Sequence, residues 1–355
     1  MNAPAALHKL LLREADLGDP GECRWIEAYV RGHEQGLAFH LPQWLKAVEQ
    51  GCGQRAHMLI AERAGEIRAM LPLTEMHSPL FGRALVSSGF GVGGGILAED
   101  PKTAQRLAQA AWELAERLSC PEIELRGGMI PPGWQTYEGV YANFSRPLEA
   151  DDEAELLAIK RRQRAEIRKG LKNDLDIGVG RDEAARAEHY RLYAISVRNL
   201  GTPVFPRSLF DAVLDRFGDD ADILTVRHDG KPLSSVLSLY FNGRVMPFWG
   251  GGLFEARHFR ANETLYYQLM NHARRRGCTH FDFGRSKVGT GPYHFKKNWG
   301  FEPQPLIYTG RSADGNTLRD INPSSPKYRL QVALWQRLPL PIANRLGPMI
   351  AKGLG

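Results

Sequence analysis

The stretch HFDFGRSKVGTGPYHFKKNWGF, residues 280–301, has the residue types of a site for polar chemistry. Asp282 lies on a predicted strand and can act as a general base or as a structural acid. We expect the loop that follows at 284–292, rich in glycine, serine and proline, to hold neither strand nor helix. Such loops with cations and aromatic rings often bind substrates; a solvated basic turn is the alternative. The cluster after the loop comprises Tyr293, His294, Phe295, Lys296, Lys297 and Trp299.

Other cations and one aromatic ring are further candidates for substrate contacts. Arg285, inside the loop, binds phosphate or simply lies on the surface. A basic segment at 160–172, KRRQRAEIRKGLK, suits phosphate-bearing partners such as nucleotide-sugars, transfer RNA, coenzyme A or anionic lipid. Arg161 and Arg162 are its candidate binding residues, with a solvated helix face as the alternative. Trp249, beside three glycines, belongs either to the core or to a ligand platform.

The composition favours a globular protein of two domains and excludes several kinds of site. The chain has 355 residues, a formal net charge of +6 and four cysteines. The cysteines are scattered singly and no histidine lies at metal-ligand spacing from them, so we expect neither a metal site nor disulfides. The sequence has no run of about 18 apolar residues and no secretory pattern at its N-terminus. We therefore expect a cytoplasmic protein, either free or peripherally bound to a membrane.

The predicted helices and strands that would position these residues occur in the same order in both halves of the chain. Each half has two helices, strands joined by short turns, a glycine-rich stretch, an amphipathic helix and a final strand. The glycines at 93–95 correspond to those at 250–252, and the strand EIEL at 122–125 corresponds to HFDF at 280–283. Only the second copy continues into the loop and the cationic-aromatic cluster. These patterns indicate a duplicated α/β module with the site in the second copy.

A meander of strands, a crossover helix and a parallel strand is the element order of the GNAT acyltransferase fold. We therefore predict an α/β (α+β) chain of two tandem GNAT-like modules, each with a mixed sheet flanked by helices. The predicted domains are 1–150, 151–325 and a C-terminal amphipathic tail at 326–355. A basic helix at 156–172 begins the second module, preceded by acidic residues that favour a helix N-terminus.

Four segments resemble the FemAB-type transferases, which are twin-GNAT proteins that move aminoacyl or acyl groups onto a peptidoglycan precursor or related acceptors. These segments are FHLPQWLK at 39–46, IKRRQRAEIRKGL at 159–171, the DFG at 282–284, and Tyr293-x-Phe295-Lys296. The resemblance covers roughly residues 20–310. The residues of these segments are most similar to those of the FemAB-related proteins associated with exosortase/PEP-CTERM exopolysaccharide systems.

The resemblance implies roles for several of these residues. Phe295 and Lys296 match the Phe-Lys pair of the family, whose lysine lies where the acyl donor meets the acceptor. An ammonium group there can stabilise the oxyanion of a tetrahedral intermediate or orient a donor phosphate, and the aromatic ring can keep water from the activated ester. Lys46 lies near a family lysine that helps bind the phosphates of the acceptor. We expect Tyr293 and Lys297 to complete this substrate-binding surface.

Two departures from the related families bear on the substrates. Family members that act on UDP-muropeptide carry a His-Arg-Pro whose arginine grips the diphosphate. Here the stretch at 201–206 reads GTPVFP, which puts that acceptor in doubt. The GNAT loop Q/R-x-x-G-x-G/A, which holds the coenzyme A pyrophosphate on backbone amides, is absent before both crossover helices. Acetyl-CoA binding in the usual manner is therefore disfavoured, although the glycines at 250–252 could bring backbone amides to a ligand.

The sequence thus predicts an acyltransferase in which an acceptor amine attacks the donor carbonyl directly. We expect no permanently bound cofactor; aminoacyl-tRNA or acyl-CoA would be a co-substrate, and transfer RNA and an anionic membrane are candidate partners. One alternative is an N-acyltransferase that depends on acyl-CoA or an acyl carrier. Another is a non-catalytic scaffold at a membrane surface, because the tail could lie on anionic lipid or dock on the second module.

Overall fold

The computed structural model describes residues 9–315 and 329–355, so the first three positions of the predicted tail, 326–328, lie outside it. The helices are α1 (Pro20–Gly32), α2 (Pro42–Cys52), α3 (Pro101–Arg117), α4 (Asp152–Ala158), α5 (Arg161–Gly170), α6 (Glu183–Leu200), α7 (Arg207–Phe217), α8 (Ala256–Phe259), α9 (Ala261–Arg275), α10 (Gly291–Asn298), α11 (Arg329–Arg337) and α12 (Leu340–Ala351). The strands are β1 (Leu11–Glu14), β2 (Arg55–Arg63), β3 (Glu66–Ser78), β4 (Gly82–Ser87), β5 (Leu97–Ala98), β6 (Glu122–Arg126), β7 (Gln135–Asn143), β8 (Ser145–Pro147), β9 (Asp176–Gly180), β10 (Ala221–His228), β11 (Lys231–Phe241), β12 (Arg244–Gly252), β13 (His280–Asp282), β14 (Ser286–Lys287) and β15 (Gln304–Ser312).

The chain divides into two compact units. Unit 1 holds the described residues of 1–138, 307–321 and 352–355, and unit 2 holds those of 139–306 and 322–351. This division differs from the predicted domains in two ways. Most of β15 returns to unit 1, where it pairs with β6, and α11 and α12 belong to unit 2 instead of forming a separate tail.

Unit 1 contains a mixed sheet with the strand order β1-β2-β3-β4-β6-β15, and β5 pairs with β3. Strands β1 to β4 are antiparallel neighbours, whereas β4 and β6 run parallel. The crossover between β4 and β6 is α3, whose N-cap Asp100 accepts a hydrogen bond from the Thr103 amide. Its apolar stripe, which includes Leu107 and Ala111, is buried in the core of this unit. The order is that of the predicted module.

Unit 2 repeats this order with the sheet β8-β13-β12-β11-β10-β9. Strands β9 to β12 are antiparallel, and β12 and β13 are parallel with α9 as the crossover. The hairpin between β11 and β12 turns at Asn242-Gly243, where both residues have positive φ, as a tight two-residue turn requires. Within this unit β14 also pairs with β7. The duplication predicted from the sequence is therefore present in the structure.

The structure corrects three local predictions. The basic helix predicted at 156–172 is two helices, α4 and α5, because Ile159 between them is extended and inserts its side chain into the core. The stretch at 284–292 was expected to lack regular structure, but it contains β14 and the start of α10. Pro292 fits there because the first helical turn needs no N–H donor. The glycines at 250–252 extend β12 and pair with β11.

Helices α11 and α12 dock on unit 2, which was one of the two alternatives for the tail. The guanidinium of Arg198 donates to the carbonyl of Gln336 at 3.1 Å, and the Gln336 amide donates back to the carbonyl of Asn199 at 3.1 Å. Val332 packs against Gly201, where an added Cβ would lie 2.4 Å from its Cγ1. Across the described residues, we find no helix with the length and apolarity that crossing a bilayer requires.

The contact of α6 with β12 yields a stability prediction. A Cβ at Gly251 would lie 2.7 Å from Tyr193 Cα, a backbone atom that cannot move aside easily. Gly251→Ala should therefore lower the free energy of unfolding by about 1–3 kcal/mol. Urea denaturation measures it, with Gly32→Ala as the matched control because a Cβ at Gly32 meets nothing within 4 Å. Equal stability of the two variants would contradict the tight packing.

Candidate active site in unit 2

The parallel strands β12 and β13 separate soon after they begin. They pair only at their first two positions, and β12 then runs on to Gly252 without β13. A shift in the register with β11 makes Phe248 the extra residue of a β-bulge in β12, and bulges bend a strand and increase its twist. Strand β13 ends at Asp282, and the chain turns at Gly284 with φ of +66°. Crevices at the carboxyl ends of parallel strands are common ligand sites in open α/β sheets.

Aromatic rings line the region beside this divergence. The ring of Tyr266 on α9 lies 5.1 Å from Phe283, 5.7 Å from Phe295 and 6.0 Å from Trp299, measured between centroids. Its hydroxyl group lies next to Gly250 on β12, where an added Cβ would be only 3.0 Å away. Burial raises the pKa of Tyr266 to about 12, so the hydroxyl stays protonated near neutral pH. These rings form an apolar cluster around the end of β13.

Helix α10 carries Lys296 into the interior of unit 2, where the side chain is only 8% exposed. Its Nζ donates hydrogen bonds to the carbonyl oxygens of Gly284 at 2.9 Å and Arg285 at 3.0 Å. It also lies 5.5 Å from the centre of the Phe144 ring. Burial lowers the pKa of Lys296 to about 7, against the opposing charge of Asp282. A lysine with this pKa can gain and lose a proton near neutral pH.

Asp282 is the second buried titratable group of the site. Burial raises its pKa above the ordinary value, while the Gly284 amide, the Asn143 side chain and the charges of Arg244 and Lys296 oppose that shift. The Gly284 N–H donates to Asp282 Oδ1 at 2.8 Å, which closes the turn after β13. Both members of the Asp282 and Lys296 pair are therefore driven towards their neutral forms. The predicted catalytic residues Asp282, Phe295 and Lys296 are brought together by this turn and α10.

Tyr293, Lys297 and Arg285 make aromatic and cation–π contacts around the buried lysine. Lys297 Nζ lies 5.8 Å from the ring centre of Tyr293, whose ring meets Phe144 edge-on at 5.3 Å. The guanidinium of Arg285 lies 4.7 Å from the ring centre of Tyr141. Tyr293 and Lys297 are partly exposed, so these groups border the buried lysine on the solvent side. Their position suits contacts with the polar parts of a substrate.

Helix α5 forms a separate basic cavity of about 300 Å³ on the surface of unit 2. Arg164 donates to the carbonyl of Leu157 at 2.7 Å, and Lys169 pairs with Glu166 at 2.7 Å. The side chains of the remaining lining cations form no hydrogen bond or ion pair within the described part of the chain. Arg162, a predicted binding residue, is exposed but does not line the cavity. The lining residues are Arg161, Arg164, Ala165, Arg168, Lys169 and Lys172.

Two predicted substrate-binding residues lie elsewhere. Trp249 is buried, with its ring 4.4 Å from Phe210, so it packs in the core between β12 and α7. Lys46 belongs to unit 1, where its Nζ lies 3.2 Å from the sulfur of Cys23. Trp249 therefore lies in the core, which was one of the two alternatives for this residue.

The corresponding place in unit 1 is filled by the chain itself. Arg126 at the end of β6 is buried and donates to the Gly91 carbonyl at 3.0 Å and to the Glu124 carboxylate at 2.7 Å. Gly95 packs so tightly that an added Cβ would lie 1.7 Å from the carbonyl oxygen of Gly127. The glycine run of unit 1 therefore serves close packing. This difference places the candidate site in unit 2.

The end of α5 packs against the start of α9, where a GNAT protein would offer backbone amides to a pyrophosphate. An added Cβ at Gly170, the last residue of α5, would lie 2.3 Å from Thr264 Oγ1 and 3.1 Å from the carbonyl oxygen of Arg260. The side chain of Arg260 is paired with Glu166 of α5. The described residues contain no group of three or more His, Cys, Asp or Glu side chains that could hold a metal ion.

Sequence reasoning did not single out Tyr266, and among the cavity cations of the basic segment at 160–172 it singled out only Arg161. Tyr266 lies in an ordinary amphipathic helix, and only the glycine opposite its hydroxyl group signals a close approach. Arg164, Arg168 and Lys172 follow Arg161 at spacings of three or four residues, which places them on one face of a helix. That periodicity could have separated them from Arg162.

A family of known sequences matches part of unit 2. Residues 159–297 match the sequence family described as acetyltransferase (GNAT) domain, which lies within unit 2. No curated protein matches the chain in sequence. This match covers less than half of the chain, and it supports an acyltransferase.

Solved structures confirm the predicted tandem GNAT fold. FemX superposes with a TM-score of 0.65 at 17% identity, over 80% of this chain and 95% of FemX. A tandem GNAT protein from the clavulanic acid biosynthesis pathway has a TM-score of 0.55 at 12% identity, over 88% of this chain and 100% of that one. The C-terminal domain of a protein from Agrobacterium fabrum, assigned as a lysylphosphatidylglycerol synthetase, gives 0.55 at 13% identity, over 82% and 93%. At these identities the likeness shows the fold.

The buried amine predicts an unusual dependence of stability on pH. The folded pKa of Lys296 is about 7 and the ordinary value is 10.5. Between these values the unfolded chain binds a proton that the folded chain lacks, so this group makes the folded state more stable as the pH rises. The slope is up to about 1.4 kcal/mol per pH unit.

Urea denaturation of the wild type and of Lys296→Met at several pH values between 7 and 9 measures this slope. The stability difference between the two should change with pH in favour of the wild type. Lys231→Met is the control, because Lys231 is exposed and pairs with Glu255 at the surface. Parallel pH curves for the wild type and Lys296→Met would contradict the lowered pKa.

Proposed function

We propose that this chain is a FemAB-like transferase that moves an activated acyl or aminoacyl group onto an amine of a cell-envelope or exopolysaccharide-related acceptor. The observation that carries the proposal is the buried lysine at the end of β13, with two backbone carbonyls as partners and a pKa near 7. This lysine belongs to the Tyr-x-Phe-Lys segment on which the FemAB resemblance rests. The GNAT domain match and the FemX-like fold support it.

In the proposed step the acceptor nitrogen attacks the carbonyl carbon of the donor directly. A new C–N bond forms, the C–O or C–S bond of the donor breaks, and the leaving oxygen or sulfur takes up a proton. Neutral Lys296 has two N–H groups, both donated to the turn carbonyls, and one lone pair that can accept the proton lost by the acceptor amine. The rings of Phe295 and Tyr266 would keep water from the activated donor.

Two observations favour aminoacyl-tRNA over acyl-CoA as the donor. The end of α5 packs against the first turn of α9, and we infer that a pyrophosphate would not reach the backbone amides there. The α5 cavity instead offers a row of cations to a phosphate backbone. The similar domain from Agrobacterium fabrum is named as part of a putative lysylphosphatidylglycerol synthetase, which agrees with transfer of an amino acid. In this proposal the donor is a co-substrate and no cofactor stays bound.

An N-acyltransferase that depends on acyl-CoA or an acyl carrier is the second candidate. It is favoured by the match of residues 159–297 to an acetyltransferase domain. In that case the bulged part of β12 would have to bring its own backbone amides to the pantetheine arm, because α9 does not. Thermal-shift titration separates the two candidates, since a donor that binds only the folded chain raises its apparent stability.

The acceptor is proposed to be an amine other than UDP-muropeptide. Val204 and Phe205 stand where family members that act on UDP-muropeptide have the arginine that binds the diphosphate. In this chain the two residues take part in packing. Val204 is buried against Gly347 of α12, and the Phe205 carbonyl accepts a hydrogen bond from the Tyr190 hydroxyl at 3.0 Å. A cytoplasmic role in an exosortase/PEP-CTERM exopolysaccharide system is the finer form of the proposal, and it rests on the sequence resemblance alone.

Removal of the lysine tests the proposed chemistry. Lys296→Ala should lower kcat/KM by roughly 100-fold or more, the usual contribution of a positioned acid–base group. Transfer is assayed with panels of aminoacyl-tRNAs, acyl-CoAs and amine acceptors, and Lys231→Ala is the surface control. Wild-type activity should rise with pH through about 7 and this limb should vanish in the variant. An unchanged rate in Lys296→Ala, or a wild-type activity that falls as the pH rises through about 7, would rule out the lysine as base.

The α5 cavity gives a separate test of the donor. Arg161→Gln and Arg168→Gln should each weaken transfer from aminoacyl-tRNA and make its affinity less dependent on salt, by about 0.7–0.9 in the logarithmic slope. Ala165→Trp should block the cavity without a change of charge. Arg191→Gln is the matched control, because Arg191 is exposed on α6 and outside the cavity. If the cavity variants behave like this control, the donor does not bind α5.

A further inference from the structure

Helix α12 has its small residues inside and its large apolar residues outside. Ala343, Gly347 and Ala351 are buried. Ile342, Leu346 and Met349 lie on the opposite face and are exposed, Met349 to 72%. In a helix that only packs on a protein core, the large apolar side chains face the core. This inversion calls for a second environment that covers the outer face.

The inner face is fixed by close packing. An added Cβ at Gly347 would lie 2.9 Å from both the backbone nitrogen and the Cγ1 of Val204. The helix therefore cannot rotate to bury its larger side chains without losing this contact. The outer apolar residues are held in solvent by the geometry of the docked face.

Helix α11 also has an exposed apolar face. Leu330 and Leu334 are exposed, and Arg337 follows at the next helical position on that face. Val332, on the opposite face, packs against Gly201. The spacing i, i+4, i+7 is the same as in α12. Each helix thus has one side docked on unit 2 and one apolar side exposed.

The charge of the segment indicates what would cover these faces. Residues 329–355 contain three arginines and one lysine and no acidic residue. Arg345 is exposed at the edge of the apolar face of α12, and Arg337 lies on that of α11. Apolar side chains flanked by cations are typical of helices that lie in the interface of an anionic bilayer. A protein partner would have to supply acidic groups around an apolar patch, whereas an anionic lipid surface supplies both.

We propose that the outer faces of α11 and α12 form a docking surface for an anionic lipid bilayer. The exposed leucine, isoleucine and methionine side chains enter the acyl boundary, and the arginines contact lipid phosphates. This surface is independent of the proposed transfer reaction, and its test requires no turnover.

The experiment is sedimentation of the full chain with vesicles. One set contains phosphatidylcholine alone, and the other contains equal amounts of phosphatidylcholine and phosphatidylglycerol. The wild type should pellet with the anionic vesicles. The combined variant Ile342→Gln, Leu346→Gln and Met349→Gln should bind at least about tenfold more weakly. Arg337→Gln and Arg345→Gln should each weaken binding about fivefold.

The control is Leu80→Gln combined with Phe254→Gln, because these side chains are exposed but lie outside the two helices. It should bind the anionic vesicles like the wild type, and circular dichroism checks that every variant is folded. Absence of wild-type binding, or unchanged binding of the triple glutamine variant, would overturn the proposal. A wild-type dimer in light scattering that the triple variant turns into a monomer would also overturn it, since a second copy would then cover the faces.

Discussion

One buried amine connects the end of β13, the turn that follows and helix α10. Moving an ammonium ion out of water costs several kcal/mol, so a lysine in this place needs partners or must lose its charge. The Lys296 side chain has two carbonyl partners, from Gly284 and Arg285, and a nearby carboxylate that is itself driven towards the neutral form. A neutral amine has two N–H groups, which these carbonyls satisfy. The lowered pKa and the hydrogen bonds are therefore two consequences of one arrangement.

The two units use cations of different chemistry at the corresponding strand ends. In unit 1 the guanidinium of Arg126 is bonded to Glu124 and Gly91, and a guanidinium keeps its proton in proteins. In unit 2 a lysine occupies the equivalent region, and lysines change protonation readily when buried. A group that holds a fixed charge can stabilise a fold, whereas only a group that titrates near neutral pH can exchange protons with a substrate. Of these two cations, only the lysine in unit 2 is suited to proton transfer.

The element order was predictable because alternation and helical periodicity are local properties of the sequence. The parallel pairing of β12 with β13 follows from the crossover helix, and the fold class is confirmed. The break between α4 and α5 was not predictable, because it depends on the burial of Ile159 in a core assembled from distant residues. The burial of Lys296 was likewise not predictable, because a Lys-Lys pair after an aromatic residue is typical of an exposed surface. Its burial results from the carbonyls of a turn that forms only with β13 in place.

The coverage of α9 by α5 changes the kind of anion that unit 2 suits. A helix N-terminus offers roughly half an elementary charge in fixed directions, which fits one compact pyrophosphate. The face of α5 offers several full charges on flexible side chains spread over about three turns, and salt screens them strongly. Single phosphates gain little from such a surface. A strand of successive phosphates gains more, because each neutralised phosphate releases condensed counterions. The packed start of α9 and the exposed cations therefore support the proposed aminoacyl-tRNA donor, because they suit a long polyanion better than a dinucleotide-like ligand.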